Sequence, residues 1–511
     1  MLKQKYMQSN MTEKWIGSRK MQKQSSLKKK TIHGLFWSFS DLIVSQGIQF
    51  IMQVILARLL VPKDFGMIGM ITIFITISQT FIDSGFTNAL IREKAPSHDD
   101  YSTIFYFNLV MATLIYVILF FFSGAIGSFF KEPELKYILR VLAIILIINS
   151  FGLIQRTMLT KNMNFKIQTK INIISSIVAG VIAVTFAYIG FGVWSLVINN
   201  LFNQLTQCLL LCLYNKWIPE LVFNIDSFKR LFGFGWKLLV CELIDKTYNN
   251  LYFVIIGRAF STVDLGYYTN AQKLRDAASQ PITTVLQKVS YPVLSIIKED
   301  EKKLRNAYMK IIRTSVFITF PLLIGLAAVA DPLIRLIFGQ RWIQSINYFQ
   351  ILCFAGMIFP LHAINLDILQ VKGRSDLFLR LEIIKKVVGL SLIAIVLLLK
   401  HEIIYLLWVA VLDSYISYFI NSYYSAELLS YSTIEQIKDI TPTFIISMTM
   451  GITVYLSKAL LPNNNLIKLI IQIIIGVVVY VVLCKIGKIG ELNTMNELLR
   501  SILKNKKGVA K

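Results

Sequence analysis

Charge is scarce in this chain, and acidic charge is scarcest. Of 511 residues 16% are charged, and 53 Lys and Arg outnumber 29 Asp and Glu. An ordinary globular chain is about a quarter charged. Cysteine occurs five times and histidine four times. The cysteines (Cys208, Cys212, Cys241, Cys353 and Cys484) fall inside apolar runs, so they imply no disulfide framework. Cys208 and Cys212 share a helical face, but no His or carboxylate stands beside them to complete a metal site, and packing is their reading. His33, His98, His362 and His401 share no motif with a nucleophile, and no segment between apolar runs is long enough for a soluble catalytic domain. A polymerase or ligase places its catalytic groups on a sizeable external loop, so the chain reads as a non-enzyme with no cofactor and no metal.

Apolar length is what the chain has in abundance. Hydrophobic residues make up 55% and the mean hydropathy is +0.60. They gather in runs of roughly 20 residues, enough to cross about 30 Å of hydrocarbon as a helix. The stretch "IQIIIGVVVYVVL" (471–483) has no polar face to show water. The expected fold class is an all-α integral membrane protein with about fourteen transmembrane helices. The expected spans are 35–57, 66–86, 104–128, 135–155, 171–190, 193–213, 234–257, 265–295, 311–330, 346–369, 380–399, 403–423, 440–457 and 466–484. The span 265–295 is the most polar, with Lys273, Arg275, Asp276, Pro281 and Lys288 inside it.

Lys and Arg set the orientation. With the N-terminus in the cytoplasm, inside segments hold about 34 of them and outside segments about 8. The net charge of +24 is therefore a topology signal and a contact with anionic head groups, not a nucleic-acid surface. An even number of spans returns the C-terminus to the cytoplasm, as expected for a multi-pass membrane protein. The N-tail shows no cleavable-signal pattern, and Met11 and Met21 are alternative starts.

One boundary is written twice. "ARLLVPKDFG" (57–66) and "GRAFSTVDLG" (257–266) share Arg58/Asp64/Gly66 and Arg258/Asp264/Gly266 at an offset of 200. Upstream, Gly34-x-x-Trp37 and Gly233-x-x-Trp236 repeat at 199, so one inserted residue aligns them. Spans 1–6 and 7–12 read as parallel six-helix repeats around a central lumen, with two further helices appended. The expected domains are a basic N-tail (1–34), an N-lobe (35–215), a C-lobe (216–425), the appended pair (426–488) and a basic C-tail (489–511).

Polar residues inside the spans mark the candidate path. Span 1 carries Ser38, Asp41, Ser45, Gln49 and Gln53 on one stripe, and span 2 carries Thr72, Thr76, Gln79 and Asp83. Span 7 repeats the pattern with Glu242, Asp245, Lys246 and Asn249, and span 8 with Lys273, Asp276, Gln280, Thr284 and Gln287. Unpaired charge facing lipid costs several kcal/mol, so such groups turn to a bundle interior or a wet cavity. Alternatives stay open: Asn199/Asn203/Gln207 and Asp413/Ser417/Asn421 on spans 6 and 12 either line the path or glue helices together. Lys237 either joins the path or snorkels to the interface, and Arg275 lies off its helix's stripe, free to pair elsewhere.

The stretches "FWSFSDLIVSQGIQFIMQVILARLLVPKDFGMIGM", "DSGFTNALIREK", "FFKEPELKYILRVLAI", "QRTMLTKNMNFK", "GFGVWSLV" and "VIIGRAFSTVDLGYYTNAQKLRD" resemble the polysaccharide transporter branch of the multidrug/oligosaccharidyl-lipid/polysaccharide exporter superfamily. The nearest resemblance is to Wzx-type flippases of colanic acid, amylovoran and teichuronic acid clusters. It runs from about Leu27 to the last span, with the first 290 residues the more distinctive. It implies two six-helix lobes in a V around a lumen. It also implies a substrate, an undecaprenyl-pyrophosphate-linked oligosaccharide repeat unit moved from inner to outer leaflet by alternating access. Glycosyltransferases and a polysaccharide polymerase are the implied partners, besides membrane lipids. What the resemblance carries over at the site is a cationic lumen, here Lys237, Lys246, Lys273, Arg275 and Lys288, with Arg58 near the outer mouth. Lys and Arg lower the barrier to a crossing pyrophosphate, while Asp41, Asp83, Glu242 and Asp245 balance that charge or couple it to an ion. A lipid II-type flippase shares the carrier and differs in the glycan. A MATE-like drug exporter shares the superfamily, but an organic cation favours an acidic cavity, and spans 7–8 are lysine-rich.

The charge asymmetry generates a topology test. Reporter fusions after Lys63, Lys136 and Lys400 are expected to report outside, and those after Lys94, Lys170 and Lys303 inside. A cytoplasmic signal at Lys400 would mean a miscounted span, with 265–295 the first suspect.

Overall fold

A peptide group in hydrocarbon has no water to bond, so a chain that stays in the bilayer closes its hydrogen bonds within each segment. In the computed structural model, residues 44–399, 402–493 and 495 are described, and every regular element among them is helical. The order is α1 (Val44–Leu59), α2 (Pro62–Asp83), α3 (Phe86–Arg92), α4 (His98–Phe130), α5 (Leu135–Leu142), α6 (Ile144–Lys161), α7 (Phe165–Ile189), α8 (Val193–Asn215) and α9 (Ile225–Ala259). There follow α10 (Thr262–Ile296), α11 (Glu301–Ala328), α12 (Ala330–Ile337), a 3-10 turn at Gln340–Trp342, α13 (Ser345–Gly356), α14 (Phe359–Val371), α15 (Ser375–Leu398), α16 (Ile403–Leu429), α17 (Thr433–Ser457) and α18 (Asn465–Ile486).

All fourteen expected spans fall on helices, the first from residue 44 onward; Gly34, Trp37, Ser38 and Asp41 lie outside the described residues. Ten stretches are long and apolar enough to cross a membrane by length and composition. α9, α10 and α15 are also long, at 35, 35 and 24 residues, but carry the ionisable groups that lower their hydropathy. The polar stretch 265–295 is one continuous helix despite Pro281 and Pro292.

The chain divides into two compact units. The first comprises residues up to Gln53 together with Ile71–Asn250, and the second Val54–Met70 together with Leu251 onward. In the first, α7 packs on α8, and α6 on both α4 and α8. Phe86, Leu90, Ile104, Phe105, Ile154 and Leu231 form one core, and Ile82, Ala112, Ala143 and Leu146 another. The α4 N-terminus carries a capping box, Ser97 with Asp100. Asp100, almost wholly buried, also takes the Arg230 guanidinium of α9 at 2.6 Å.

In the second unit α11 packs on α17, α10 on α13 and α14, and α17 on α18. Pro321 inside α11 removes the N–H that would reach the Phe317 carbonyl four residues back. The Tyr480 hydroxyl donates to that carbonyl instead, at 2.8 Å, and so ties α18 to α11. Tyr308 donates to Asn365 at 2.7 Å and to Ser425 at 3.2 Å, joining α11, α14 and α16.

The repeated boundary has a structural cause. Pro62 opens α2 and Thr262 opens α10, so Asp64 and Asp264 both occupy the third helical position. Asp64 accepts from the Val61 N–H at 3.1 Å, and the Asp264 N–H donates to the Ser261 hydroxyl at 3.0 Å. Both are helix-start bonds that satisfy a donor left open by the first turn. Two residues on, Gly66 and Gly266 let the two helix starts touch backbone to backbone. A Cβ on Gly66 would stand 1.9 Å from the Thr262 carbonyl oxygen, and one on Gly266 1.9 Å from that of Pro62. Pro62 and Thr262, like the two glycines, are 200 apart, so the contact is reciprocal. Trp342, fully buried, braces the α1–α2 turn by donating to the Ala57 carbonyl at 2.8 Å and standing edge-on to Phe65.

Because the clash is with backbone, no side chain can swing away to relieve it. Gly66→Ala and Gly266→Ala are each expected to cost about 1–3 kcal/mol, lowering the thermal midpoint of the purified protein. Gly124→Ala, where nothing stands within 4 Å of the added Cβ, is expected to be neutral or to gain up to about 1 kcal/mol of helix propensity.

Candidate functional site

In the first unit the polar residues of α2 and α9 meet because two glycines let them. The α2–α3 break passes through Ser84 and Gly85, both in the left-handed region, at φ 47° and 72°. A Cβ on Gly85 would lie 2.4 Å from the Gly235 carbonyl oxygen of α9, and one on Gly235 2.7 Å from that of Ser84. Asp83, just before the break, accepts from the Thr87 N–H at 3.1 Å and from its hydroxyl at 2.7 Å. It also lies within electrostatic range of Glu242, which feels Lys246 and Asp245 as well. Asn249 donates to Asp245 at 3.0 Å. Asp83, Glu242, Asp245, Lys246 and Asn249 thus form one mixed-charge group, with Asp245, Lys246 and Asn249 exposed on α9. Lys237 is exposed two turns earlier on α9, and Gln49 is exposed on α1; Asp41 lies outside the described residues.

In the second unit the expected cations separate into two kinds. Arg58 donates to the Ile337 carbonyl at 2.7 Å and to the Leu336 carbonyl, so it caps the C-terminal end of α12. Arg275 is 7% exposed. It donates to Asp276 from Nε at 2.9 Å and from Nη2 at 2.6 Å, and its guanidinium stands 4.9 Å over the Phe359 ring. Gly356 makes room for it, since a Cβ there would be 2.9 Å from the Arg275 Cδ. Both arginines are engaged by the protein itself. Lys273 and Gln280 are exposed and Lys288 is half-buried. The Lys273 Nζ stands 5.8 Å from the Phe65 ring centre, within cation–π range.

A second polar array sits on α6, α7 and α8, of which the span reading named only Gln207. Arg156 donates to the Gln207 carbonyl oxygen, Gln207 donates to Asn172 at 2.7 Å, and Gln204 donates to Asn149 at 2.7 Å. The signal was present: Asn149 and Arg156, seven apart, share a helical face. The expected span stopped at residue 155, which made Arg156 a loop residue, whereas α6 runs on to Lys161. On α16, Asn421 and Ser414 each meet His362 of α14, at 3.3 and 3.2 Å, which is a helix-to-helix link. Of the cysteines, Cys208, Cys353 and Cys484 are buried, and Cys212 and Cys241 exposed.

The two kinds of cation separate in a stability assay. Arg275→Gln leaves the half-buried Asp276 without its partner and is expected to cost about 1–3 kcal/mol, seen as a lowered thermal midpoint. Lys246→Gln changes an exposed group and is expected to stay within about 0.5 kcal/mol.

Comparison with known proteins places this geometry. Residues 55–347 match the family described as polysaccharide biosynthesis protein. The teichuronic acid biosynthesis protein TuaB of Bacillus subtilis is 26% identical over 439 residues, 84% of this chain and 89% of that protein. The lipopolysaccharide biosynthesis protein WzxC of Escherichia coli is 26% identical over 368 residues, 70% of this chain and 74% of that protein. Among solved structures, the lipid II flippase MurJ in an inward closed conformation superposes with a TM-score of 0.73 at 15% identity, covering 89% of this chain and 98% of that one. An inward-facing multidrug resistance MATE family transporter of the MOP superfamily gives 0.59 at 14% identity, with 76% and 96% covered. The chain therefore belongs to the polysaccharide biosynthesis protein family, and its helices adopt a fold similar to those of the MurJ and MATE structures.

Proposed function

We propose that this protein is a flippase that moves undecaprenyl-pyrophosphate-linked oligosaccharide repeat units from the inner to the outer leaflet of a bacterial cytoplasmic membrane, for capsule, exopolysaccharide or O-antigen-type synthesis. The observation that carries the reading is a pair of exposed lysines, Lys246 and Lys273, on the long polar helices α9 and α10 of a chain from a polysaccharide family. A diphosphate keeps its negative charge across the bilayer and needs cations along its way. Lys237 and Lys288 extend the basic series, while the amides of Gln49, Asn249 and Gln280 suit sugar hydroxyls. Asp83, Glu242 and Asp245 balance the lysines. The MurJ structure is in an inward closed conformation, and a cycle of alternating access is proposed here. Residues 35–215 and 216–425 are assigned as its lobes, 426–488 as an appended pair, and both termini to the cytoplasm. Glycosyltransferases that load the carrier and a polymerase that consumes the exported unit are the proposed partners.

A second reading is a lipid II-type glycan on the same carrier, favoured by the TM-score of 0.73 to the lipid II flippase. A cation-exporting reading fits less well, because the exposed ionisable groups of α9 and α10 include Lys237, Lys246 and Lys273.

Complementation of a flippase-null strain, scored by surface polysaccharide at matched membrane levels, tests the proposal. The Lys246→Gln/Lys273→Gln double variant is expected to insert normally yet reduce export, with repeat units accumulating on the inner leaflet. Arg at either position is expected to be milder, and Glu at both the most damaging. Full surface polysaccharide from the double Glu variant would defeat the cationic path and reopen drug export.

A further inference from the structure

The second unit holds a cavity of about 590 Å³ among α11, α13, α16 and α17, lined by none of these ionisable groups. This is within the ~300–1,000 Å³ of small-molecule sites. Its position is set by helix ends. Ala328 is the last residue of α11, Asn347 the third of α13, Ile404 the second of α16 and Leu456 the last but one of α17, and all four line it. Four helix ends at one level mark the membrane–water interface rather than the hydrocarbon midplane. Two of its lining residues agree: Trp408 and Tyr455 are each about half exposed, the amphipathic aromatics that sit at head-group level.

The cavity exists because two helices part. A Cβ on Gly451 would lie 2.5 Å from the Ile324 side chain, so α11 and α17 touch tightly there. Beyond that contact Ala327 and Ala328 offer too little volume to fill the gap. The floor is apolar, with Ile324, Ile351, Phe354 and Met448. The rim is not. Gln350, held by its bond to the Ala327 carbonyl at 2.9 Å, and the exposed Asn347 present amides. The Lys458 Nζ stands 3.8 Å over the ring of Tyr455, which lines the cavity. α13 and α16 both begin here without a side-chain cap, which adds the positive ends of two helices to the lysine. An apolar floor beneath a positive, amide-bearing rim at interface level matches one kind of molecule.

We infer that this cavity binds a single membrane phospholipid, with an acyl chain on the floor and its phosphate at the rim formed by Asn347, Gln350 and Lys458. The site is separate from the proposed glycan path and does not depend on what that path carries.

Photolabelling tests it. The full chain is reconstituted in vesicles of phosphatidylethanolamine and phosphatidylglycerol, with a trace of phosphatidylglycerol bearing a photoreactive acyl-chain end, and labelled peptides are mapped. Labelling is expected to concentrate on α11, α16 and α17 around Ile324, Trp408 and Ile452. Ala328→Trp, which fills the cavity, is expected to cut that labelling about tenfold, a loss of about 1.4 kcal/mol of affinity, and to leave labelling elsewhere unchanged. Lys458→Gln, a surface change that keeps the fold should Ala328→Trp fail to insert, is expected to weaken labelling by phosphatidylglycerol more than by a phosphatidylcholine probe. Labelling spread evenly over lipid-facing helices would overturn the inference. So would labelling that neither variant alters, or displacement of the probe by a polyprenyl phosphate but not by phosphatidylglycerol.

Discussion

A peptide carbonyl in hydrocarbon must find a donor without help from water, and the side chains that supply such donors hold the helices in place. Where Pro321 frees the Phe317 carbonyl, the Tyr480 hydroxyl takes it. At the end of α12 Arg58 serves Leu336 and Ile337. Trp342 serves Ala57, Gln350 serves Ala327, and Gln472 of α18 serves Val454 of α17 at 3.0 Å. A membrane supplies little hydrophobic force between helices, so these bonds and close packing carry the association. α18 is tied to both α11 and α17 in this way.

The same economy of polar groups sorts the charges. Arg230 with Asp100, Arg275 with Asp276, and Arg313 with Asp439 at 2.7 Å are pairs that join or stiffen helices. Lysine is distributed differently: Lys237, Lys246 and Lys273 are exposed on α9 and α10. The division follows the chemistry of the two cations. A guanidinium presents a planar fork that a carboxylate or a carbonyl pair can hold, whereas an ammonium is a mobile, strongly hydrated point charge. On α10 the Arg275 fork is held by Asp276 while Lys273 is left exposed.

The helical architecture was readable from sequence because its signal is long. A run of twenty apolar residues has few other readings, and even the polar 265–295 segment kept a helical stripe through two prolines. The offset of 200 between Gly66 and Gly266 was equally plain, though what the glycines do was not, since a backbone contact leaves no mark on hydropathy. The site was harder to read. Arg58 and Arg275 look the same in sequence as cations that face a ligand, and only the positions of the Leu336 and Ile337 carbonyls, of Asp276 and of Gly356 distinguish them. Arg156 escaped because a hydropathy boundary was placed one residue before it, while the helix ignores that boundary and bonds onward to Lys161. Asp83 was visible on its stripe. Thr87, which orients it, was hidden by the Ser84–Gly85 break.

The crossing of the two helix starts has a consequence for how this chain came to be arranged. A contact in which Gly66 meets Thr262 while Gly266 meets Pro62 is isologous, the pattern two identical subunits make about a two-fold axis. A half-length chain with one such glycine and one such helix start would already own a surface that fits a second copy of itself. Fusion of two copies would preserve that fit without inventing a new one. It would also bind the two glycines to a shared fate, since each is the space that the opposite half's backbone occupies.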